Sequence, residues 1–286
     1  MPTEAKKAWI QAQFEAGTTE IEVGSFVPPK ILPQMADSNE VVTFAKTLEG
    51  LNVAVLAPNL RGLENAVAAG AHKVSIPFSM SESHSLKNVR KTHTEMLTEI
   101  SRCVAYLNSL PDQHRPKFEV GLSTAFGCTI EGNVPEDRVV SFAEKVVKIG
   151  VDEVGLSDTT GYGNPAQLKR LVCRIWDVCG KEKLTGVHLH NTRGQGLANA
   201  LMAVELGITT VDSSLGGIGG CPWAPGASGN IVTEDLVFLL ESMGLRTGID
   251  LEKLMAVREL VQQALPGEPM YGFVPNAGLP KGFHSA

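Results

Sequence analysis

The 286-residue sequence has no apolar run approaching 18 residues, and so offers no membrane-spanning helix. It has no basic stripe, and its net charge of −6 argues against nucleic acid as a partner. The polar stretch from Met1 to Lys7 lacks an apolar signal-peptide core, which predicts a cytoplasmic protein. There is no CxxC pair. The cysteines at 103, 128, 173, 179 and 221 are odd in number, which predicts reduced thiols rather than a disulfide framework. No linker divides the chain, so residues 1–286 read as a single domain, and 43% apolar content suffices for one large core.

What recurs is a helix-stop glycine followed four positions later by a β-branched residue or leucine. The instances are Gly17…Ile21, Gly70…Val74, Gly150…Val154, Gly180…Leu184 and Gly207…Val211. Glycine suits the C′ position of a helix, and the apolar residues after it begin a strand. Helical segments precede four of these glycines at 4–16, 63–69, 136–149 and 195–206. Strands follow at 20–26, 73–78, 153–157, 184–190 and 209–214, with two more at 51–56 and 117–123. Strands alternating with helices imply parallel βαβ units, and this many favour an α/β fold of the (β/α)8 TIM-barrel type.

The strands, however, number seven. The chain opens on a helix, with Thr3 as its expected cap, Glu4 at its positive end, and Ala5, Ala8, Trp9, Ala12 and Ala16 along one stripe. A closed eight-stranded barrel would need a strand before residue 1, so the first strand is expected to be missing from this chain. From about residue 231 the sequence predicts C-terminal helices at 234–243 and 251–265, then an irregular, mobile tail from Pro266.

The chemistry gathers at strand ends. His188 and His190 stand two apart in a strand and so project to one face, at the end where barrel enzymes carry their sites. Two such imidazoles make half of a divalent metal site. An isolated pair of this kind could equally be one core and one loop histidine, but the stretch 216–230, with six glycines, Cys221 and Asn230, favours a site. Glu22, Asp158 and Asp212 lie in or at the ends of apolar strands, where a carboxylate must be paired or functional. Gly161 to Ala166 fits GxGxxA, but the next strand ends in histidines rather than an acid, so it reads as an ordinary βα loop with Pro165 at a helix start.

Nearly the whole chain resembles the 3-hydroxy-3-methylglutaryl-CoA lyase family of metal-dependent TIM-barrel enzymes. The resemblance runs through Ser25-Phe26-Val27, Pro33 to Asp37, Ala57 to Leu60, Phe126-Gly127-Cys128, Glu131-Gly132 and Ser157-Asp158-Thr159. It continues through His188-x-His190, Gly219 to Pro222, Ala224 to Asn230 and Thr233 to Leu236. It implies a carbon–carbon lyase that cleaves 3-hydroxy-3-methylglutaryl-CoA to acetyl-CoA and acetoacetate. A divalent metal, Mg²⁺ or Mn²⁺, would be held by His188, His190 and Asn230. Cys221 would be the acid/base thiol, and Glu22 and Asp158 active-site carboxylates. The acyl-CoA is the implied partner, Lys30 and Asn59 are candidate contacts, and a homodimer is one possible assembly.

Three departures keep alternatives open, namely a related substrate such as citramalyl-CoA or a non-catalytic acyl-CoA-binding barrel. The family's Arg-Asp-Gly-Leu-Gln strand motif, with an aspartate ligand, has no counterpart. Asn191-Thr192-Arg193 stands where the family reads an aspartate, removing a carboxylate and adding a cation. Gly121 and Gly155 stand bare where better-known lyases carry polar groups, which implies a differently shaped acyl pocket.

Overall fold

The computed structural model describes residues 1–219 and 229–286. Seven strands, β1 (Glu20–Ser25), β2 (Asn52–Leu56), β3 (Lys73–Ser79), β4 (Lys117–Ser123), β5 (Glu153–Asp158), β6 (Leu184–Leu189) and β7 (Thr210–Asp212), pair in sequence order. Every pairing is parallel. The helices are α1 (Thr3–Glu15), α2 (Ser38–Ala45), α3 (Leu60–Ala69), α4 (Glu82–Asn88), α5 (His93–Asn108) and α6 (Glu136–Ile149). After them come α7 (Pro165–Cys179), α8 (Gly196–Leu206), α9 (Thr233–Ser242), α10 (Leu251–Ala264) and α11 (Val274–Ala277).

Alternation along each strand sorts its side chains. On β4, Phe118, Val120 and Leu122 are buried in the main apolar cluster, leaving Glu119, Gly121 and Ser123 on the opposite face. That second face lines a lumen, because the sheet curls. Glu22 on β1 feels the charges of Asp212 on β7 and His188 on β6, at the far end of the strand order. Among the described residues no strand joins β7 to β1, in keeping with the expected missing strand. The fold is the α/β, TIM-barrel type.

The lumen floor is charged. Lys73 reaches Glu119 at 2.7 Å, Glu153 at 3.0 Å and Glu20 at 3.4 Å, and Lys117 reaches Glu153 at 2.7 Å. Burial works against Lys73, yet its carboxylates raise its pKa. Burial pushes Glu119 up to about 7 against the pull of Lys73. Glu153, although buried, is held down to about 2 by Lys117 and Lys73.

Gly70, Gly150 and Gly207 do end their helices in the left-handed conformation. Gly180 instead leads into a 3-10 turn at Lys181–Lys183 with φ 92° and ψ 150°. Thr3 is not the cap of α1. The capping position falls on Pro2, and the Thr3 hydroxyl donates to Asp37 at 2.8 Å. Nor does α1 bury a single alanine stripe. Ile10 and Phe14 pack on the barrel cluster and Trp9, Ala12 and Ala16 on that of α10, while Ala8 is exposed. The tail is docked rather than loose. Asp235 accepts from the amides of Phe273 (2.9 Å) and Val274 (2.8 Å), and Phe283 packs tilted against Phe238.

The C-terminal helices brace the loop after β7. Fully buried Glu234 accepts from the Gly216 amide at 3.0 Å and from Arg258 at 2.8 Å. Arg258→Met would strand that carboxylate without its counter-charge, at a cost of about 3–5 kcal/mol. Urea unfolding checks this; a loss below about 1 kcal/mol would contradict the brace.

Candidate active site

His188 lies on β6 and His190 just past its end, both on the face opposite the buried Val187 and Leu189. Their Nε2 atoms stand 3.2 Å apart. Asp212, the β7 register partner of His188, accepts from His188 Nδ1 at 3.2 Å and so orients that ring. The Asn230 backbone bridges antiparallel to His190, and its segment runs on past the end of β7 through a parallel bridge of Val232 to Ser214. The Ile231 amide donates to Leu189 O at 3.1 Å, and Ser214 donates to Ile231 O at 3.0 Å. This path needs glycine at 229, where φ is 49° and a Cβ would lie 2.0 Å from Gly217 O.

Asn230 Nδ2 donates to Ile218 O at 3.0 Å. That leaves Asn230 Oδ1 buried, and neither it nor His190 Nδ1 has a hydrogen-bond partner among the described residues. Among those residues no three His, Cys, Asp or Glu are grouped to hold a metal. Two convergent imidazoles and an orphaned amide oxygen nonetheless fit a divalent cation, whose borderline preference covers nitrogen and oxygen donors. The buried oxygen otherwise carries an uncompensated desolvation cost.

Electrostatics differ between the two rings. Burial, then the charge of His188, lowers His190 to about 4, which keeps it neutral as a ligand must be. For His188 burial opposes the charged form, but the Asp212 hydrogen bond and charge outweigh it and raise the pKa. Glu22 accepts from Ser75 Oγ at 3.2 Å. Enclosure by the lumen walls, then Asp212, raises its pKa, although its side chain still meets the open lumen.

The other expected residues make contacts of their own. Asp158 is 1% exposed and accepts from the amides of Tyr162 (2.9 Å) and Gly163 (3.0 Å), with burial pushing it up to about 6. It anchors the loop after β5. Asn59 caps α3 by accepting from the Gly62 amide at 3.0 Å, and Lys30 is exposed. Arg193 lies over the Tyr162 ring at 4.4 Å and donates to Thr160 O (3.0 Å) and Gly161 O (3.2 Å), so its cation serves that loop. Cys221 lies outside the described residues. Glu119 and Lys73 were not singled out in the sequence; charged residues alternating with apolar ones in a strand were the available signal.

A seven-stranded parallel α/β barrel with an HxH pair at a strand end defines a class of barrel enzymes. Within it, the HMGL-like family model matches residues 1–261. The chain is 37% identical over 268 residues to a hydroxymethylglutaryl-CoA lyase of Bacillus subtilis, covering 94% of this chain and 88% of that one. It is 40% identical over 263 residues to the mitochondrial hydroxymethylglutaryl-CoA lyase of Homo sapiens, covering 92% and 79%. A solved HMG-CoA lyase from Acinetobacter baumannii, in complex with coenzyme A and 3-methylmalate, superposes with a TM-score of 0.91. The two are 38% identical, over 100% of this chain and 91% of that one. The chain belongs to the hydroxymethylglutaryl-CoA lyase family, whose members are carbon–carbon lyases.

A neutral buried His190 has a measurable consequence. Its folded pKa of about 4 lies below the unfolded 6.5, so the unfolded chain binds the extra proton first as pH falls. In chelator, the stability it contributes should be complete above about pH 6.5 and lost toward about pH 4, by about 3 kcal/mol in all. The difference in unfolding free energy between wild type and His190→Gln should shrink across that window. A constant difference would contradict the assignment.

Proposed function

We propose that the protein cleaves 3-hydroxy-3-methylglutaryl-CoA to acetyl-CoA and acetoacetate with a divalent metal, Mg²⁺ or Mn²⁺. The observation that supports this is the contact of His188 Nε2 with His190 Nε2 at the C-terminal strand ends, with the Asn230 backbone bridged to His190 and its Oδ1 buried and unpartnered among the described residues. Kinship to hydroxymethylglutaryl-CoA lyases, one of them solved with coenzyme A, supports an acyl-CoA substrate. A cation held by these three side chains would supply Lewis acidity toward the substrate's carbonyl and hydroxyl oxygens.

The protein's own groups then do the proton work. Glu22, raised in pKa and open to the lumen, takes the proton of the C3 hydroxyl. The C2–C3 bond breaks, leaving a ketone at C3 and the electron pair on C2 as the thioester enolate. Cys221, assigned through the family resemblance, gives C2 a proton and so completes acetyl-CoA. Asp212 keeps the His188 ring turned toward the site, and Asp158 holds the β5 loop in shape. We also propose a cytoplasmic setting; the four described cysteines, all free, support a reducing compartment.

Acetyl-CoA release from this substrate with Mn²⁺ should be abolished by chelator. It should fall by about 10²–10⁴-fold in both His188→Ala and Cys221→Ala. Wild-type-like turnover in either variant would sink the assigned roles. Asp212→Asn should weaken Mn²⁺ binding by about 10–100-fold in a calorimetric titration, whereas a purely structural Asp212 would leave that affinity unmoved.

A further inference from the structure

A slot of about 340 Å³ lies among the loops that follow β4, β5 and β6, lined by Phe126, Gly132, Asn133, Tyr162 and Arg193. In a parallel sheet these loops all leave the C-terminal strand ends, the end that carries His188 and His190. Arg193 follows His190 by three residues, at most about 10–11 Å of chain, and a turn closed by the Gly194 amide on Asn191 O at 2.9 Å shortens that path. The β5 and β6 loops meet closely. At Gly161, where φ is 62°, a Cβ would lie 2.6 Å from Thr192 Cβ.

Arg193 is held from one side only. Its Nη1 donates to the Thr160 and Gly161 carbonyls, and its guanidinium lies over the Tyr162 ring. Among the described residues its Nε and Nη2 have no hydrogen-bond partner, and no carboxylate is in ion-pair contact with it. Arg138, Arg174 and Arg258, by contrast, are each spent on a carboxylate. A guanidinium is a rigid planar fork. With one nitrogen tied and the plane set by the ring, the exposed Nε–Nη2 edge is oriented in advance for two parallel bonds to a carboxylate or phosphate.

The surrounding charges leave that edge open to an anion. Arg193 is the only charged residue lining the slot. Asp158 senses it, but burial and the amides of Gly163, Tyr162 and Gly161 weigh more on that carboxylate. Glu131, next to Gly132, is taken by Arg138 and by the Ser83 amide, each at 2.9 Å. Asp212 is engaged by His188 and Glu22 by Ser75, on other strands. We infer that Arg193 is an anion receptor for the acyl-CoA, its free edge binding an anionic oxygen group of the substrate. Its place beside His190 favours the carboxylate at the far end of the acyl chain, two bonds from the carbon that bears the reacting hydroxyl. The coenzyme phosphates lie a pantetheine arm away from that carbon. This inference rests on the lyase reading above.

The test compares wild type with Arg193→Gln on three thioesters, following release of the acetyl thioester with Mn²⁺. They are 3-hydroxy-3-methylglutaryl-CoA, its C5 methyl ester, and the pantetheine thioester, which lacks the coenzyme phosphates. On the first, Arg193→Gln should lower kcat/KM by about 10–100-fold, mostly through KM, the size of one charge-assisted hydrogen bond. The variant-to-wild-type ratio should stay low on the pantetheine thioester and return to near one on the methyl ester. The reverse pattern would uphold the receptor and overturn the carboxylate as its anion, placing a phosphate there. Equal losses on all three would overturn the inference and leave Arg193 a loop anchor. Wild-type-like rates in the variant would overturn it too, with the lyase reading intact. Arg193→Lys, which keeps the charge without the fork, should recover only part of the loss and serves if the glutamine variant fails to fold in a thermal melt. No release by wild type from 3-hydroxy-3-methylglutaryl-CoA would remove the lyase reading and the receptor with it.

Discussion

Glu22 on the first strand and Asp212 on the last sense one another across a lumen that exists only because the parallel sheet curls. Everything at the site depends on that curl. A flat sheet of seven parallel strands would set these residues six strands apart, and about 5 Å separates each pair of neighbours. Curled, the sheet brings β1, β6 and β7 to face a common space, and residues remote in sequence share one electrostatic environment.

Two opposite regimes divide that space. The floor is a closed set of ion pairs around Lys73, where buried carboxylates are answered within 2.7–3.4 Å. The mouth is less paired, with two ring nitrogens in contact, an amide oxygen without a partner among the described residues, and a raised Glu22. Unanswered polar groups cost stability when buried, and His190 Nδ1 and Asn230 Oδ1 carry that cost at the proposed site. The brace of Glu234, Arg258 and the Gly216 amide keeps the Asn230 side of that site in register with β6 and β7.

Much of this was legible in the sequence. Helix-stop glycines announced the βα repeat, and β4 and α6 came out with the boundaries expected, because strong apolar periodicity and a clean glycine stop leave little choice. The HxH pair followed from alternation alone. Other features were hidden, since they depend on partners distant in the chain. Thr3 looked like a cap until Asp37 claimed its hydroxyl, and the grip of Asp158 on the Tyr162 and Gly163 amides shows only in the fold. Arg193 read only as an added cation, and its engagement by Tyr162 and two carbonyls shows only in the fold. The tail seemed free because its tethers, Asp235 and Glu241, lie on another element.

In the proposed function, His188, His190 and Asn230 form one metal site at the mouth of the lumen. Anomalous diffraction from crystals grown with Mn²⁺ checks this, and a single strong peak bonded to His188 Nε2, His190 Nε2 and Asn230 Oδ1 is expected. A peak elsewhere, or none at saturating Mn²⁺, would contradict it.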